Sequence, residues 1–199
     1  MQIIEDIAAL EALYDKPVPA SLSKVAHSLT PLYRRWIGAA RFCVLSTVGP
    51  EGTDASPRGD DGPVVRIVDD RTVWLPDWRG NNRLDCLRNI VADGRVSLMF
   101  MVPGSLNVVR VNGRAVLTND ATVTQTFEQR GKHPKTVIVL TVDEVYFQCA
   151  KALMRSALWT RDDSACLPSA GQLLQERDPG FDARGYDLSY PEEAPKRMW

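Results

Sequence analysis

Two runs decide how this chain of 199 residues folds: Val108–Thr118, VVRVNGRAVLT, and Thr136–Phe147, TVIVLTVDEVYF. Both are dense in β-branched residues, which are stiff at χ1 and suit a pleated surface. They read as one long strand pair, the backbone of a sheet. Working outward, Arg41–Val48 (RFCVLSTV) is a further strand that closes on the turn Gly49-Pro50-Glu51-Gly52, with a return through Thr53–Pro57. Shorter strands are expected at Val64–Val68, Thr72–Leu75 and Val96–Val102. Between them, Asn82–Val91 places Leu84, Leu87 and Val91 at helical spacing, and Thr122–Arg130 reads as another short helix. Six or seven strands at short spacing do not fit alternating βα units. They fit a mainly β fold, a small antiparallel barrel with helices at its ends.

The flanks read differently. In the first 40 residues, Ile3, Ile7, Leu10 and Tyr14 share one helical face, and Pro17 and Pro19 end that segment. Ser21 can cap a second segment, and Thr30-Pro31 opens a helix that ends at Gly38, with the cap and the proline in their favoured places. This stretch is expected to be a helical cover. Residues 160–199 are rich in proline and charge (Pro179, Pro191, Pro195) and are expected to be an extended tail. Residues 1–199 together read as one domain.

Charge narrows the function classes. The 24 basic and 25 acidic residues leave a net charge of −1, which argues against a nucleic-acid partner. Residues 71–160 hold 12 Lys/Arg against 7 Asp/Glu, a balance suited to a small anionic ligand. No apolar run approaches the ~18 residues that span a bilayer. The opening MQIIEDIAALEALYDKP lacks the basic and apolar regions of a signal peptide. Four cysteines (Cys43, Cys86, Cys149, Cys166) form no CxxC pair, and His27 and His133 are the only histidines, so no metal ligand set is expected. Reduced thiols and a cytoplasmic location follow as the expectation. GxGxxG, GxxxxGK[ST] and GxSxG are absent, so dinucleotide, P-loop and hydrolase sites have no support.

The strongest local signal is PDWRGNNRLDCLRNI, residues 76–90. A strand runs into Pro76-Asp77, then Gly80-Asn81-Asn82-Arg83 at the expected helix start. Helix N-termini offer unpaired N–H groups to an anion, and Arg83 adds a guanidinium fork suited to phosphate. The plainer alternative is an Asn-capped helix with a surface arginine. A second signal is Ala55-Ser56-Pro57-Arg58, where Ser56 and Arg58 share a strand face and can grip the same phosphate; alone, it is a polar hairpin end. Arg110 and Arg114 interrupt an apolar strand, so Arg110 either faces an electron-rich ring or carbonyl, or pairs with Asp60 or Asp77. Lys151, Arg155 and Trp159 recur at four-residue intervals, as an amphipathic helix edge or as a basic, aromatic lip over a flat ligand.

Taken together, Ser56-Pro57-Arg58-Gly59-Asp60, Pro76-Asp77, Gly80-Asn81-Asn82-Arg83, Asn89-Ile90, Pro103-Gly104 and Arg110-Val111-Asn112-Gly113 resemble the pyridoxamine 5′-phosphate oxidase-like, FMN-binding split-barrel family, and within it a subgroup of FMN-dependent enzymes. The resemblance spans roughly residues 30–160. It implies a homodimer of split barrels with FMN at the subunit interface, acting as an oxidoreductase on a small molecule. By similarity, Asn81, Asn82 and Arg83 hold the FMN phosphate with Ser56 and Arg58 alongside, and Pro76 and Asp77 pass their backbone beside the ring. Arg110 stands near the ring, and Lys151, Arg155 and Trp159 come from the other subunit to cover its edge. No side chain stands out as an obligatory acid or base. The same site also suits a non-catalytic flavin carrier or sensor, and relatives bind F420 or haem. The phosphate cluster is Asn-Asn-Arg and the chain ends PEEAPKRMW, a departure from authentic pyridoxamine phosphate oxidases that leaves the substrate open.

Overall fold

The β-branched runs form strands. In the computed structural model of the protein, which describes residues 1–199, these are β1 (Phe42–Gly49), β2 (Gly52–Gly59), β3 (Arg66–Ile67), β4 (Thr72–Asp77), β5 (Arg95–Met101), β6 (Val108–Thr118) and β7 (Thr136–Gln148). All pair antiparallel in the order β2-β1-β5-β6-β7-β4-β3. The helices are α1 (Ile7–Glu11), α2 (Pro19–Ser23), α3 (Pro31–Gly38), α4 (Asp85–Ala92), α5 (Ala121–Thr124), α6 (Lys151–Ser156), α7 (Ala170–Arg177) and α8 (Ala183–Glu193). None is long and apolar enough to cross a membrane.

Alternation along the strands sends Cys43 and Leu45 of β1, Leu98 and Phe100 of β5, Val109 and Val111 of β6, and Leu140, Val142 and Val145 of β7 into one core. Ile37 of α3 and Cys86, Leu87 and Ile90 of α4 close it from the ends. Burying a side chain such as Phe100 contributes about 1.5–3 kcal/mol. The long β6–β7 ladder breaks register once, between Asn112 and Gly113. There a Cβ on Gly113 would lie 2.0 Å from the Thr141 carbonyl oxygen, so the close approach requires glycine.

The opposite face of the sheet carries a row running across five strands, Pro57–Val44–Met99–Arg110–Tyr146, read from the strand registers. Its residues are half-buried or exposed. The sheet itself stays open. Side chains bridge its seam: Arg58 of β2 pairs with Asp77 of β4, and Trp78 Nε1 donates to Asp60 Oδ2 at 2.8 Å.

Three expectations are corrected. The helix expected over Thr122–Arg130 stops at Thr124, because the Thr-Val-Thr-Gln-Thr run is poor in helix formers, and the chain turns back through a Gln129–Lys132 bridge. The tail expected to be extended over residues 160–199 instead forms a pair of helices. Ser169 and Gln172 make a reciprocal capping box at α7, Asp182 caps α8, and Asp187 accepts from both Ser169 Oγ and Gly171 N. At the crossing, a Cβ on Gly171 would meet the Ala183 carbonyl oxygen at 2.4 Å, so glycine lets the helices touch. At the other end, the cover expected from residues 3–14 is reduced to the five residues of α1, which bury nothing, and α3 covers the core in its place. Five residues nucleate a helix without the packing that would extend it.

Candidate functional site at the sheet seam

Period-two alternation in β2 turns Asp54, Ser56 and Arg58 inward, half-buried, toward the core face of β1. Arg58 stands opposite Cys43 and reaches the Asp77 carboxylate, each side chain 18% exposed. Burial pushes the Cys43 thiol up to about 12, with the Arg58 charge pulling weakly the other way. Strand β4 delivers a buried Pro76 and the half-buried Asp77 to the same place. Asp60, just past β2, accepts from Trp78 and, at 2.7 Å, from Gln129 Nε2. Ser56, Arg58, Pro76 and Asp77, taken from two distant stretches of sequence, thus lie on the two strands that face each other across the seam.

The loop that follows Asp77 carries the second group. Helix α4 begins at Asp85 rather than Asn82, so Asn81, Asn82 and Arg83 lie in the loop before it and do not form its first turn. The cause is local: Asn82 and Leu84 hold left-handed backbone at φ 61° and 63°. Asparagine tolerates that region and leucine does not. No side chain caps α4, while Asn81 Oδ1 accepts from Arg83 N at 3.1 Å and Arg83 Nε pairs with Asp85 at 2.9 Å. Arg83 itself is exposed. Helix α4 is anchored on the β1–β2 hairpin. Cys86 Sγ donates to Asp54 Oδ2 at 2.9 Å and Asn89 Nδ2 to Thr47 Oγ1 at 3.1 Å. Burial and then the Asp54 hydrogen bond push the Cys86 thiol up to about 11.

Four further candidates lie elsewhere. Arg110 is on the outer sheet face, its guanidinium 5.6 Å from the Tyr146 ring centroid. It does not pair with Asp60 or Asp77, which lie at the seam with Trp78, Gln129 and Arg58 as their partners. Lys151 and Arg155 are exposed on α6. That helix ends at Ala157 (φ 48°), so Trp159 does not continue their stripe, and its Nε1 donates to the Ser105 carbonyl at 2.7 Å. Surface cavities of about 440 and 270 Å³ include none of the expected site residues.

One residue of the seam carried no sequence signal. Trp199 is 9% exposed and meets Trp78 edge-on, with ring centroids 5.3 Å apart. Lys132 Nζ donates to its main-chain oxygen at 3.0 Å. The contact joins residues 121 positions apart in sequence, and no local pattern reports such a pairing.

An open antiparallel sheet flanked by helices, its seam bridged by side chains, defines the split-barrel class. Residues 29–149 match the pyridoxamine 5′-phosphate oxidase family, and the chain belongs to it. Among solved structures it is similar to a variant of HupZ from Group A Streptococcus, at 18% identity over 60% of this chain and 99% of that one, with a TM-score of 0.50. It is also similar to General Stress Protein 26 from Bacillus anthracis (18% identity, 57% and 88% covered, TM-score 0.44). A third is an FMN-binding protein from Syntrophomonas wolfei (15% identity, 57% and 86% covered, TM-score 0.43). At 18% identity the likeness to HupZ is one of fold alone. No curated protein matches the sequence.

Proposed function

We propose that the protein is an FMN-binding flavoprotein acting as an FMN-dependent oxidoreductase, working as a homodimer in the cytoplasm. The observation that carries this reading is the seam: Ser56, Arg58, Pro76 and Asp77 converge there, and Arg58 Nε is buried without a partner. A buried donor left unpaired costs about 1–3 kcal/mol, so an acceptor is called for. Membership of the pyridoxamine 5′-phosphate oxidase family supports a flavin as the source.

The residues present fit such a group. Arg83, tied only to its neighbour Asp85 at the surface, is free to turn its fork to a phosphate, with Asn81 and Asn82 beside it. Left-handed backbone at a bulky leucine, Leu84, is a strain of the kind found at ligand-holding loops. Ser56 supplies a further donor, Arg58, whose charge Asp77 already meets, offers its Nε to an acceptor on the ring, and Pro76 and Asp77 line the path of that ring. When bound, FMN supplies the redox chemistry, and the chain binds and orients it.

Arg110 stands on the opposite sheet face from Ser56 and Arg58. One FMN touching both sets therefore calls for a second copy of the chain. The outer row with Val44 and Met99 supports that arrangement, because half-buried apolar side chains on a sheet face gain by being covered. In this reading Arg110, Lys151, Arg155 and Trp159 reach a flavin held mainly by the other subunit. Four free cysteines, two of them buried, support a reducing compartment.

The test is an FMN titration followed by fluorescence quenching. Arg83→Ala is expected to weaken binding about 10- to 100-fold, the loss of a charge-assisted hydrogen bond. Wild-type affinity in that variant refutes the phosphate assignment. Anaerobic mixing of the FMN complex with NADH or NADPH then reads the redox activity: bleaching of the flavin is expected, and its absence with both donors overturns the oxidoreductase assignment.

A further inference from the structure

Three buried side-chain polar atoms in the molecule have no hydrogen-bond partner: Arg58 Nε, Thr136 Oγ1 and Trp199 Nε1. They are not scattered. Arg58 pairs with Asp77, Thr136 stands directly opposite Asp77 in the β4–β7 ladder, and Trp199 packs on Trp78, the next residue. Residues directly opposite in a ladder share a sheet face, so Arg58, Asp77 and Thr136 are neighbours. Trp78 in turn donates to Asp60, two positions from Arg58. Buried polar groups are paired in the great majority of cases, and three orphans around a single two-residue corner mark a place where something is missing.

Their chemistry says what. Indole and guanidinium N–H groups only donate, and a threonine hydroxyl can donate, so the missing group is an acceptor. Its charge is also constrained. Arg58 is already met by Asp77, and Asp60 adds another carboxylate a short way along β2. A second anion would be repelled there, while a neutral carbonyl oxygen would not. The walls are aromatic: Trp78 and Trp199 meet edge-on at an interplanar angle of 87°, and indole surfaces favour flat rings as partners.

We propose that Trp199 is a specificity-determining residue that, with Arg58 and Thr136, binds a flat, neutral, carbonyl-bearing ring at the sheet seam. Lys132, donating to the Trp199 main-chain oxygen, and Arg130, donating to the Pro195 carbonyl, hold the segment that brings Trp199 in. The inference extends the flavin reading, because the carbonyl belongs either to a substrate or to the flavin ring itself; the donor set is the same in both cases.

Calorimetric titration separates these sources. Quinolin-2-one serves as a flat neutral carbonyl compound, quinoline as the same ring without the acceptor, and lumiflavin as the flavin ring without phosphate. Quinolin-2-one is expected to bind more tightly than quinoline, and Trp199→Phe, which keeps an aromatic ring but removes the N–H, to weaken it about three- to tenfold. Trp199→Ala is expected to weaken it further through lost stacking. Dependence on Trp199 for lumiflavin alone assigns the carbonyl to the cofactor and also supports the proposal. Unchanged affinities for quinolin-2-one and lumiflavin in Trp199→Phe overturn it, whether or not Trp199→Ala folds. Arg83→Ala leaves quinolin-2-one and lumiflavin binding intact, since neither carries a phosphate, so failure of the phosphate assignment is read separately from failure here.

Discussion

Arg58 and Asp77 form an ion pair between the first and sixth strands of the sheet order, across an edge that backbone hydrogen bonds leave open. Both side chains are mostly buried, so removing one strands the other in a low-dielectric site. Arg58→Ala is expected to destabilise the protein by about 1.5–3 kcal/mol, and Arg58→Lys to recover only part of it, because an ammonium lacks the guanidinium fork. Denaturant unfolding measures both; an unchanged midpoint for Arg58→Ala would show that the seam does not depend on the pair.

Gly113 marks the register break in the longest ladder. A methyl group there would meet the Thr141 carbonyl at 2.0 Å, so Gly113→Ala is expected to cost about 1–3 kcal/mol as the two strands are pushed apart. Gly38, near the end of α3, has open space where its Cβ would go, and Gly38→Ala is the matched control. Thermal melts of the pair should separate widely, and equal midpoints would contradict the close approach.

The cysteines divide into two classes. Cys149 and Cys166 are exposed and should react readily with a thiol reagent at pH 8, whereas Cys43 and Cys86 should react only after unfolding. Burial raises the two buried thiols to about 12 and 11 from an ordinary 9.0. The sign follows from linkage: the unfolded chain loses these protons first, so stability holds below pH 9.0 and falls as pH rises through the folded values. Replacing both by alanine should flatten that alkaline decline. Four equally fast reactions would contradict the burial.

Asp93 behaves in the opposite sense. Hydrogen bonds from Arg95, aided by the charge of Arg114, hold its carboxyl down at about 2. Its contribution is present above the ordinary 3.8 and is lost as pH falls toward about 2. Carboxyl NMR titration should find the Asp93 midpoint well below the ordinary 3.8, and Arg95→Ala should return it toward that value. An ordinary midpoint in the native protein would show the hydrogen bonds to be absent in solution.

Much of the architecture was legible because strands and caps are local. The alternation in Arg41–Val48 and Val108–Thr118, and the Thr30-Pro31 cap, each involve side chains a few residues apart, and the corresponding elements formed. The helix pair after residue 160 differs: its proline content points to extended chain, although the Ser169–Gln172 capping box that starts α7 is equally local. The start of α4 was misplaced because backbone strain at Leu84 opposes leucine's own preference. The stripe from Lys151 to Trp159 failed because Ala157 leaves the helix, and nothing in its side chain announces that.

The mainly β fold and the order of its strands follow from the amino-acid order alone, because a strand repeats every two residues and its side-chain pattern is local. The amino-acid order also carries the residues of the seam without their relation to one another. That Arg58 meets Asp77, that Arg110 faces the other side of the sheet and that Trp199 returns to Trp78 emerge once the chain is folded. Such contacts depend on how the whole sheet curls and where its far segments dock, and their energy is shared among residues that no local pattern connects.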